Sequence, residues 1–290
     1  MEIRDIRSVA VLGAGTMGAG IAQVSAMAGF RTLLYDVDAE RAEAGLSRIR
    51  SELAKGVERG KVEAATRDRA LAALEIRTAL PGACDGVDLV IEAVPEDLAL
   101  KISVLREAAE AAGPDAVIAS NTSALSLTEI AQALPDPSRV VGMHFFNPVP
   151  RMKLLEIVRA YQTSEETLAV ARHVAERMGK EAIVVQDVPG FASSRLGIAL
   201  GMEAIRMVES GVASPEEIDK AMKLGYGHPM GPLELTDLVG LDVRLAIAEH
   251  LHRELGGTQF QPPQLLKRMV KAGKLGRKTG EGFYKYPQKN

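Results

Sequence analysis

Gly13, Gly15 and Gly18 stand in the run Gly13-Ala14-Gly15-Thr16-Met17-Gly18, between the apolar stretch Ser8 to Leu12 and small, apolar residues reaching about Ala28. A strand that turns sharply into a helix needs glycine at the turn. It needs a second where backbone approaches a bulky ligand, and a third where helix and strand pack closest. The helix N-terminus so formed offers unpaired N–H groups to an anion, and a pyrophosphate suits this spacing. A glycine turn without a ligand is the plainer alternative. Strand, turn, helix and second strand in succession favour the phosphate site. Asp36 ends that second strand, Arg31 to Tyr35, about twenty residues on. A carboxylate there accepts hydrogen bonds from the ribose 2′-OH of NAD and repels the 2′-phosphate of NADP. The bland reading is a solvated turn aspartate. Asp38 adds negative charge nearby, whereas Arg41 could serve a phosphate.

His144 closes the apolar run Val140 to Met143. Ligands of open α/β sheets bind at the carboxyl ends of strands, and imidazole is the side chain best poised to exchange a proton near neutral pH. Twelve residues later Glu156 interrupts the run Leu154 to Val158. A carboxylate inside such a strand is expensive unless paired, and an imidazole is a suitable partner. Position alone leaves the pair open between a structural and a catalytic role. His173, His228, His250 and His252 fall on helical stretches or beside proline and read as structural. Ser120-Asn121-Thr122-Ser123 follows a further strand directly. Ser126 with Glu129 already makes a helix cap, so four small polar residues before it exceed what a cap requires. Lys55, Arg59 and Lys61 cluster near the end of a long amphipathic stretch, either as a solvated face or as a site for a phosphorylated ligand. No cluster with metal-ligand spacing and no nucleophile elbow is present, so metal chemistry and a serine nucleophile are not expected.

The elements that must position these residues alternate. Short β-rich runs at Ser8–Leu12, Arg31–Tyr35, Val87–Ile91, Val117–Ala119 and Val140–His144 are separated by helical patterns, including one long helix over 39–60. That rhythm predicts a parallel sheet covered on both faces. Lys153–Val158 and Ala182–Val185 still belong to the sheet. From Pro189 onward only helical periodicity remains, over about 190–209, 215–223, 232–254 and 262–272, with an irregular tail from Gly276. Two domains follow: residues 1–188, an α/β domain, and residues 189–290, a smaller all-α domain.

Composition narrows the class further. A chain of 290 residues with 47% hydrophobic and 25% charged residues is an ordinary globular protein of two-domain length. A net charge of −3 gives no polybasic signal for nucleic acid or membrane surface. No apolar run approaches the roughly 20 residues that span a bilayer. The single Cys84 excludes an intrachain disulfide, and the charged start Met1 to Asp5 is unlike a signal peptide. Together these point to a cytoplasmic protein.

The motifs, taken in order, are similar to one family along nearly the whole chain. They are Gly13 to Gly20 with Ile21, Ala22 and Gln23; Ile91 to Glu96; Ser120 to Ser123; Met143 to Pro148; Leu155 to Ile157; and Pro189 to Phe191. Ile218-Asp219, Gly231 to Leu235, Gly240 to Asp242 and Gly276 to Lys278 continue the match. In this order and at this length the chain resembles the L-3-hydroxyacyl-CoA dehydrogenases, and among them the bacterial 3-hydroxybutyryl-CoA dehydrogenases. The resemblance implies a Rossmann-type doubly wound, mostly parallel sheet with a helical C-terminal domain for substrate binding and dimerisation. It implies hydride transfer between NAD(H) and C3 of a short-chain (S)-3-hydroxyacyl-CoA or 3-ketoacyl-CoA, in fatty-acid or butanoate metabolism, by a homodimer. His144 would be the catalytic acid/base, Glu156 its orienting partner, and Ser123 a hydrogen-bond donor to the substrate's 3-oxygen. Gly13, Gly15, Thr16, Met17, Gly18, Asp36, Glu92, Lys101, Asn121 and Asn147 would surround the cofactor, with Lys55 and Lys61 near the CoA moiety. One departure stands out: at the substrate-binding position before Arg195, where the family carries an Asn that contacts the substrate, this chain has Ser194. Two rivals remain, a dehydrogenase of the same superfamily acting on a free 3-hydroxy sugar acid, and a catalytically silent NAD-binding protein.

Overall fold

The computed structural model describes residues 5–287. The N-terminal stretch from Met1 to Arg4, read above as unlike a signal peptide, lies outside them. By its contacts the chain divides into two compact units, one ending at Val188 and the other beginning at Pro189.

The first unit is built on eight strands: β1 (Ser8–Leu12), β2 (Arg31–Tyr35), β3 (Leu74–Arg77), β4 (Leu89–Glu92), β5 (Val117–Ser120), β6 (Val140–Phe145), β7 (Leu154–Arg159) and β8 (Glu181–Gln186). Their order across the sheet is β3-β2-β1-β4-β5-β6-β7-β8. Every neighbouring pair is parallel except β6 and β7, which run antiparallel. β1, β4 and β5 are buried along their whole length, as apolar strands flanked on both sides must be. The chain works outward from β1 in one direction and from β4 in the other. A crevice therefore opens at the carboxyl ends of β1 and β4, where ligands of doubly wound sheets bind.

Helices α1 (Thr16–Met27), α2 (Ala39–Glu58), α3 (Ala64–Ala72), α4 (Leu80–Cys84), α5 (Leu98–Ala112), α6 (Leu127–Gln132) and α7 (Glu165–Arg177) fill the connections. α2 shows how sequence dictates an element. Asp38 caps it by accepting the N–H groups of Glu40 and Arg41, and Ala42, Leu46, Ile49 and Leu53 fall on one face and are buried.

In the second unit α8 (Ser193–Glu209), α9 (Pro215–Tyr226), α10 (Pro232–Val239), α11 (Leu241–Leu255) and α12 (Gln264–Lys271) enclose a separate core around Ile198, Met202, Ile205, Leu241, Leu251 and Leu266. The sequence suggested one helix over 232–254. Gly240 divides it, because its φ of 108° has no place in a right-handed helix. The tail is less irregular than expected. A 3₁₀ turn, Arg277–Thr279, leads into a segment held by Asp237, whose carboxylate accepts the N–H groups of Phe283 and Tyr284, both at 2.9 Å. α3 and β3 have no counterpart in the sequence pattern described above. β3 is a half-buried edge strand of sequence Leu-Glu-Ile-Arg, too short and too polar to announce itself. Among the described residues no helix is long and apolar enough to cross a membrane.

Candidate active site

The glycine turn sits where the sequence places it, between β1 and α1. Gly13 has φ of 102°, and a Cβ there would lie 2.8 Å from the Ala93 carbonyl oxygen. A Cβ on Gly18 would overlap the Gly13 carbonyl oxygen at 1.7 Å, so α1 can start this close to β1 only with glycine at that position. Gly15, by contrast, faces open space, which leaves its backbone accessible to a ligand. Thr16 and Met17 form the first turn of α1, whose N-terminal cap, Gly15, makes no side-chain capping bond. Asp36 follows β2 directly, and its Oδ2 accepts the Ala14 N–H at 2.9 Å. The carboxylate is thereby fixed beside the glycine turn. A cleft of about 710 Å³ runs along this edge, with Gly13, Gly15, Asp36, Arg41, Val94 and Leu100 in its wall. A cradle that excludes side chains, an open helix N-terminus and a strand-end carboxylate fit a dinucleotide with an unmodified ribose.

The other predicted residues lie on the next strands. In the sheet register Glu92 is level with Ser120, Ser120 with Gly142, and His144 with Glu156. The antiparallel β6–β7 pair therefore sets His144 opposite Glu156 on one rung, where side chains of facing residues meet. His144 Nδ1 lies 2.8 Å from Glu156 Oε2. Glu156 is fully buried and His144 nearly so, with the Phe146 ring tilted against the imidazole at 4.5 Å. The buried carboxylate that looked anomalous in the sequence thus has the imidazole as its partner.

Asn121 continues the ladder one step past β5. Its N–H donates to the Glu92 carbonyl oxygen and its Oδ1 accepts the Phe145 N–H at 2.8 Å. It is joined in this way to the residue after His144. Asn147 lies three residues beyond His144, before a cis bond to Pro148. Asn147, Gln23, Arg48, Glu52 and Arg151 line a second cleft of about 260 Å³ between α1, α2 and the residues following β6.

Glu92 and Lys101 are placed differently from a pair reaching into a ligand cleft. Both are buried, 0% and 1% exposed, in an ion pair of 2.6 Å. Glu92 also accepts the Ser120 hydroxyl at 2.6 Å and the Val94 N–H at 2.7 Å. Burial pushes the Glu92 carboxyl above the usual range, against the opposing pull of Lys101, Ser120 and Val94. Lys101 reaches a second carboxylate, Glu96 Oε2, at 3.3 Å.

Glu96 was not singled out from the sequence. Its Oε1 accepts the Thr122 hydroxyl at 2.6 Å, the Ser123 N–H at 2.9 Å and the Ala124 N–H at 3.1 Å, with the Ser123 hydroxyl at 3.4 Å. Burial works against its charge, but Lys101, the Thr122 hydroxyl and the Ser123 N–H hold its carboxyl below the usual range. One carboxylate thus shapes the whole turn that presents Ser123. Its spacing, five residues before Lys101 and at the end of the Ile91 to Glu96 motif, was the available signal.

Lys55 and Lys61 are exposed, Lys55 in an ion pair of 3.2 Å with Glu52, and Lys61 just past the end of α2. Ser194 belongs to the second unit, half-buried in the first turn of α8.

The sequence matches the family description "3-hydroxyacyl-CoA dehydrogenase, NAD binding domain" over residues 8–188, and "3-hydroxyacyl-CoA dehydrogenase, C-terminal domain" over residues 190–286. The chain belongs to the 3-hydroxyacyl-CoA dehydrogenase family. Its first unit is accordingly the family's NAD-binding domain, and NAD is its cofactor. The chain is 47% identical to a probable 3-hydroxybutyryl-CoA dehydrogenase of Bacillus subtilis, over 98% of this chain and 99% of that protein. It is 43% identical to a 3-hydroxybutyryl-CoA dehydrogenase of Clostridioides difficile, over 96% and 99% of the two chains. Among solved structures it is similar to the (S)-3-hydroxybutyryl-CoA dehydrogenase of Ralstonia eutropha, with a TM-score of 0.94, 40% identity and coverage of 98% and 100%. Members of the family thus share both domains with this chain in the same order.

Proposed function

We propose that the chain is an NAD-dependent 3-hydroxybutyryl-CoA dehydrogenase that interconverts (S)-3-hydroxybutyryl-CoA and acetoacetyl-CoA. The observation that carries this reading is the buried His144–Glu156 pair at the carboxyl end of the sheet, in a chain similar over its whole length to enzymes of that name. When bound, the nicotinamide supplies the hydride chemistry at its C4. The protein supplies position and proton transfer. In oxidation His144 takes the 3-hydroxyl proton on Nε2, since Nδ1 is held by Glu156. In reduction the imidazolium returns that proton to the developing alkoxide. Glu156 fixes the tautomer and stabilises the imidazolium, as the carboxylate of a Ser-His-Asp triad does. Ser123 is held to Glu96 by its N–H, and its hydroxyl turns from its long contact with Glu96 to donate to the same oxygen, which favours the alkoxide over the neutral alcohol.

Asp36 accepts from the adenosine ribose, and the N–H groups around Gly15, Thr16, Met17 and Gly18 receive the pyrophosphate. Asn121 and Asn147 border the nicotinamide. Glu92 and Lys101 act beneath the site by holding Ser120 and Glu96. Lys55 and Lys61 meet the phosphates of CoA as exposed cations. The helical unit is the dimerisation domain, a role supported by its exposed Leu196, Val239 and Val243.

Initial rates with NADH and NADPH, each against acetoacetyl-CoA, test the cofactor side. Asp36 gives NADH the higher kcat/KM, by about tenfold to a hundredfold, the worth of a hydrogen bond to a charged group that NADPH cannot make there. Equal use of NADPH would contradict the role of Asp36. A second expectation concerns Ser194, whose hydroxyl cannot reach as far as the family's Asn amide. Ser194→Asn raises kcat/KM for acetoacetyl-CoA by about tenfold at most and leaves NADH affinity unchanged. A sharp loss of activity in that variant would mean that Ser194 suits a different acyl group.

A further inference from the structure

Lys180 lies far along the chain from the motifs above, yet its side chain turns toward them. α7 ends at Arg177, Gly179 follows with φ of 68°, and the Lys180 N–H closes the turn on the Ala175 carbonyl at 2.9 Å. The next residue begins β8, with the Glu181 N–H bonded to the Lys153 carbonyl. This geometry aims Lys180 at residues 146–153, the loop that joins the strand of His144 to the strand of Glu156.

The Lys180 side chain is nearly buried, with 9% of the residue exposed. It makes no ion pair among the described residues. Its Nζ donates instead to the carbonyl oxygens of Val149 at 2.5 Å and Met152 at 2.8 Å. Within the loop, the N–H groups of Arg151 and Met152 both turn to the Pro148 carbonyl. The Val149 carbonyl, on a residue only 2% exposed, therefore needs a donor from elsewhere, since buried carbonyls are rarely left unpaired, and the half-covered Met152 carbonyl shares the same ammonium. An ammonium brings three donors and a charge on a long stem, which suits two inward carbonyls on one bend. Burial alone lowers the Lys180 ammonium from its usual range, and the two carbonyl dipoles offset that penalty.

The clamp has two neighbours that matter. Val149 is 2% exposed and wedged against α1, where a Cβ on Gly20 would lie 2.9 Å from its Cβ. Asn147 lies between that wedge and His144. The position of Asn147 therefore depends on where Val149 is held, and Lys180 holds it.

We propose that Lys180 is a positioning residue for the reaction, keeping the loop 146–153 in the shape that sets Asn147, three residues beyond His144, at the nicotinamide. This rests on the function proposed above. Two charge-assisted bonds are lost in Lys180→Met, so kcat/KM for acetoacetyl-CoA falls by about tenfold to a hundredfold, mainly in kcat. NADH affinity, read from NADH fluorescence, falls much less than kcat, because the glycine turn and Asp36, which hold the rest of the dinucleotide, are untouched. Lys180→Arg keeps cationic donors and regains most of the activity, and Lys180→Gln falls between the two. Amide hydrogen exchange at Arg151 and Met152 is faster in Lys180→Met, and this readout needs no substrate.

Wild-type kcat/KM in a folded Lys180→Met overturns the proposal. So does an equal loss of NADH affinity and turnover that Lys180→Arg fails to repair, since that is the mark of a purely structural residue. If Lys180→Met does not fold, the Arg and Gln variants decide, and equal activity in both overturns it. Should the wild-type enzyme not reduce acetoacetyl-CoA at all, the functional reading fails, while exchange at Arg151 and Met152 still tests the clamp.

Discussion

His144→Gln lowers kcat for acetoacetyl-CoA reduction by about 10²–10⁴-fold, the range that acid–base groups supply, with NADH binding close to wild type. Glutamine has nearly the reach of histidine but cannot take up or release a proton near neutral pH. The imidazole is enclosed between Glu156 and Phe146, so bulk water is poorly placed to replace it. The elements that hold the adenosine and the pyrophosphate lie on β1, β2 and the glycine turn, several strands from β6, which is why binding survives. Glu156→Gln keeps the shape but offers an amide to Nδ1, removing the charge that stabilises the imidazolium. Its kcat falls strongly, though less than that of His144→Gln, because proton exchange remains available. Steady-state kinetics and NADH titration of both variants measure this. Near-wild-type kcat in His144→Gln would mean that another group handles the proton.

Lys101→Met destabilises the fold by about 3–5 kcal/mol, the usual result of removing one partner of a buried ion pair. Glu92 is fully buried and loses its strongest neutralising contact, while Glu96 loses a cation as well. The double variant Glu92→Gln/Lys101→Met recovers much of that loss, because no buried charge is then left unpaired. The pH dependence has a definite sign. Burial already raises the Glu92 carboxyl, and without Lys101 it rises further. A carboxyl raised on folding takes up protons as the chain folds, so it favours the folded state at low pH and loses that effect as pH rises through the folded value. The deficit of Lys101→Met is therefore smaller at about pH 5 than at about pH 8. Urea midpoints of the three proteins at both pH values measure it. A single variant as stable as the wild type at the higher pH would contradict the pairing.

The elements that sequence revealed best are those in which pattern and burial coincide. β1, β2 and β4 to β7 each combine an apolar run with flanking turns, and the glycines at 13, 15 and 18 punctuate one of them; β8, an edge strand with no buried residue, was legible from its apolar run Ala182–Val185 alone. β3 escaped because an edge strand buries only one face, and its Glu75 and Arg77 are what such a strand can carry. Gly240 escaped because a helix pattern continues on both sides of it; only its positive φ shows the break. At the site, Glu156 was legible as a misplaced carboxylate within an apolar strand. The antiparallel rung that joins it to His144 was not, since register depends on pairing across the sheet. Glu92 and Lys101 were found by resemblance, but their burial beneath the site was hidden, as no periodicity announces an ion pair inside a fold. Glu96 and Lys180 act on loops through backbone N–H groups and carbonyls. Backbone partners carry no side-chain signature, so Lys180 looked like any other charged residue, and Glu96 was marked only by its place at the end of the Ile91 to Glu96 motif.

Reduction of the 3-oxo group of an acyl-CoA is the reaction proposed for this site. The most direct measurement is the initial rate of NADH oxidation with acetoacetyl-CoA, acetoacetate and a 3-oxo sugar acid in parallel assays. Rapid oxidation with acetoacetyl-CoA, and kcat/KM lower by about a hundredfold or more for the two free acids, is the predicted result. Comparable or faster oxidation with a free acid would contradict the assignment of the substrate, and no oxidation with any of the three would leave His144 and Glu156 without the reaction proposed for them.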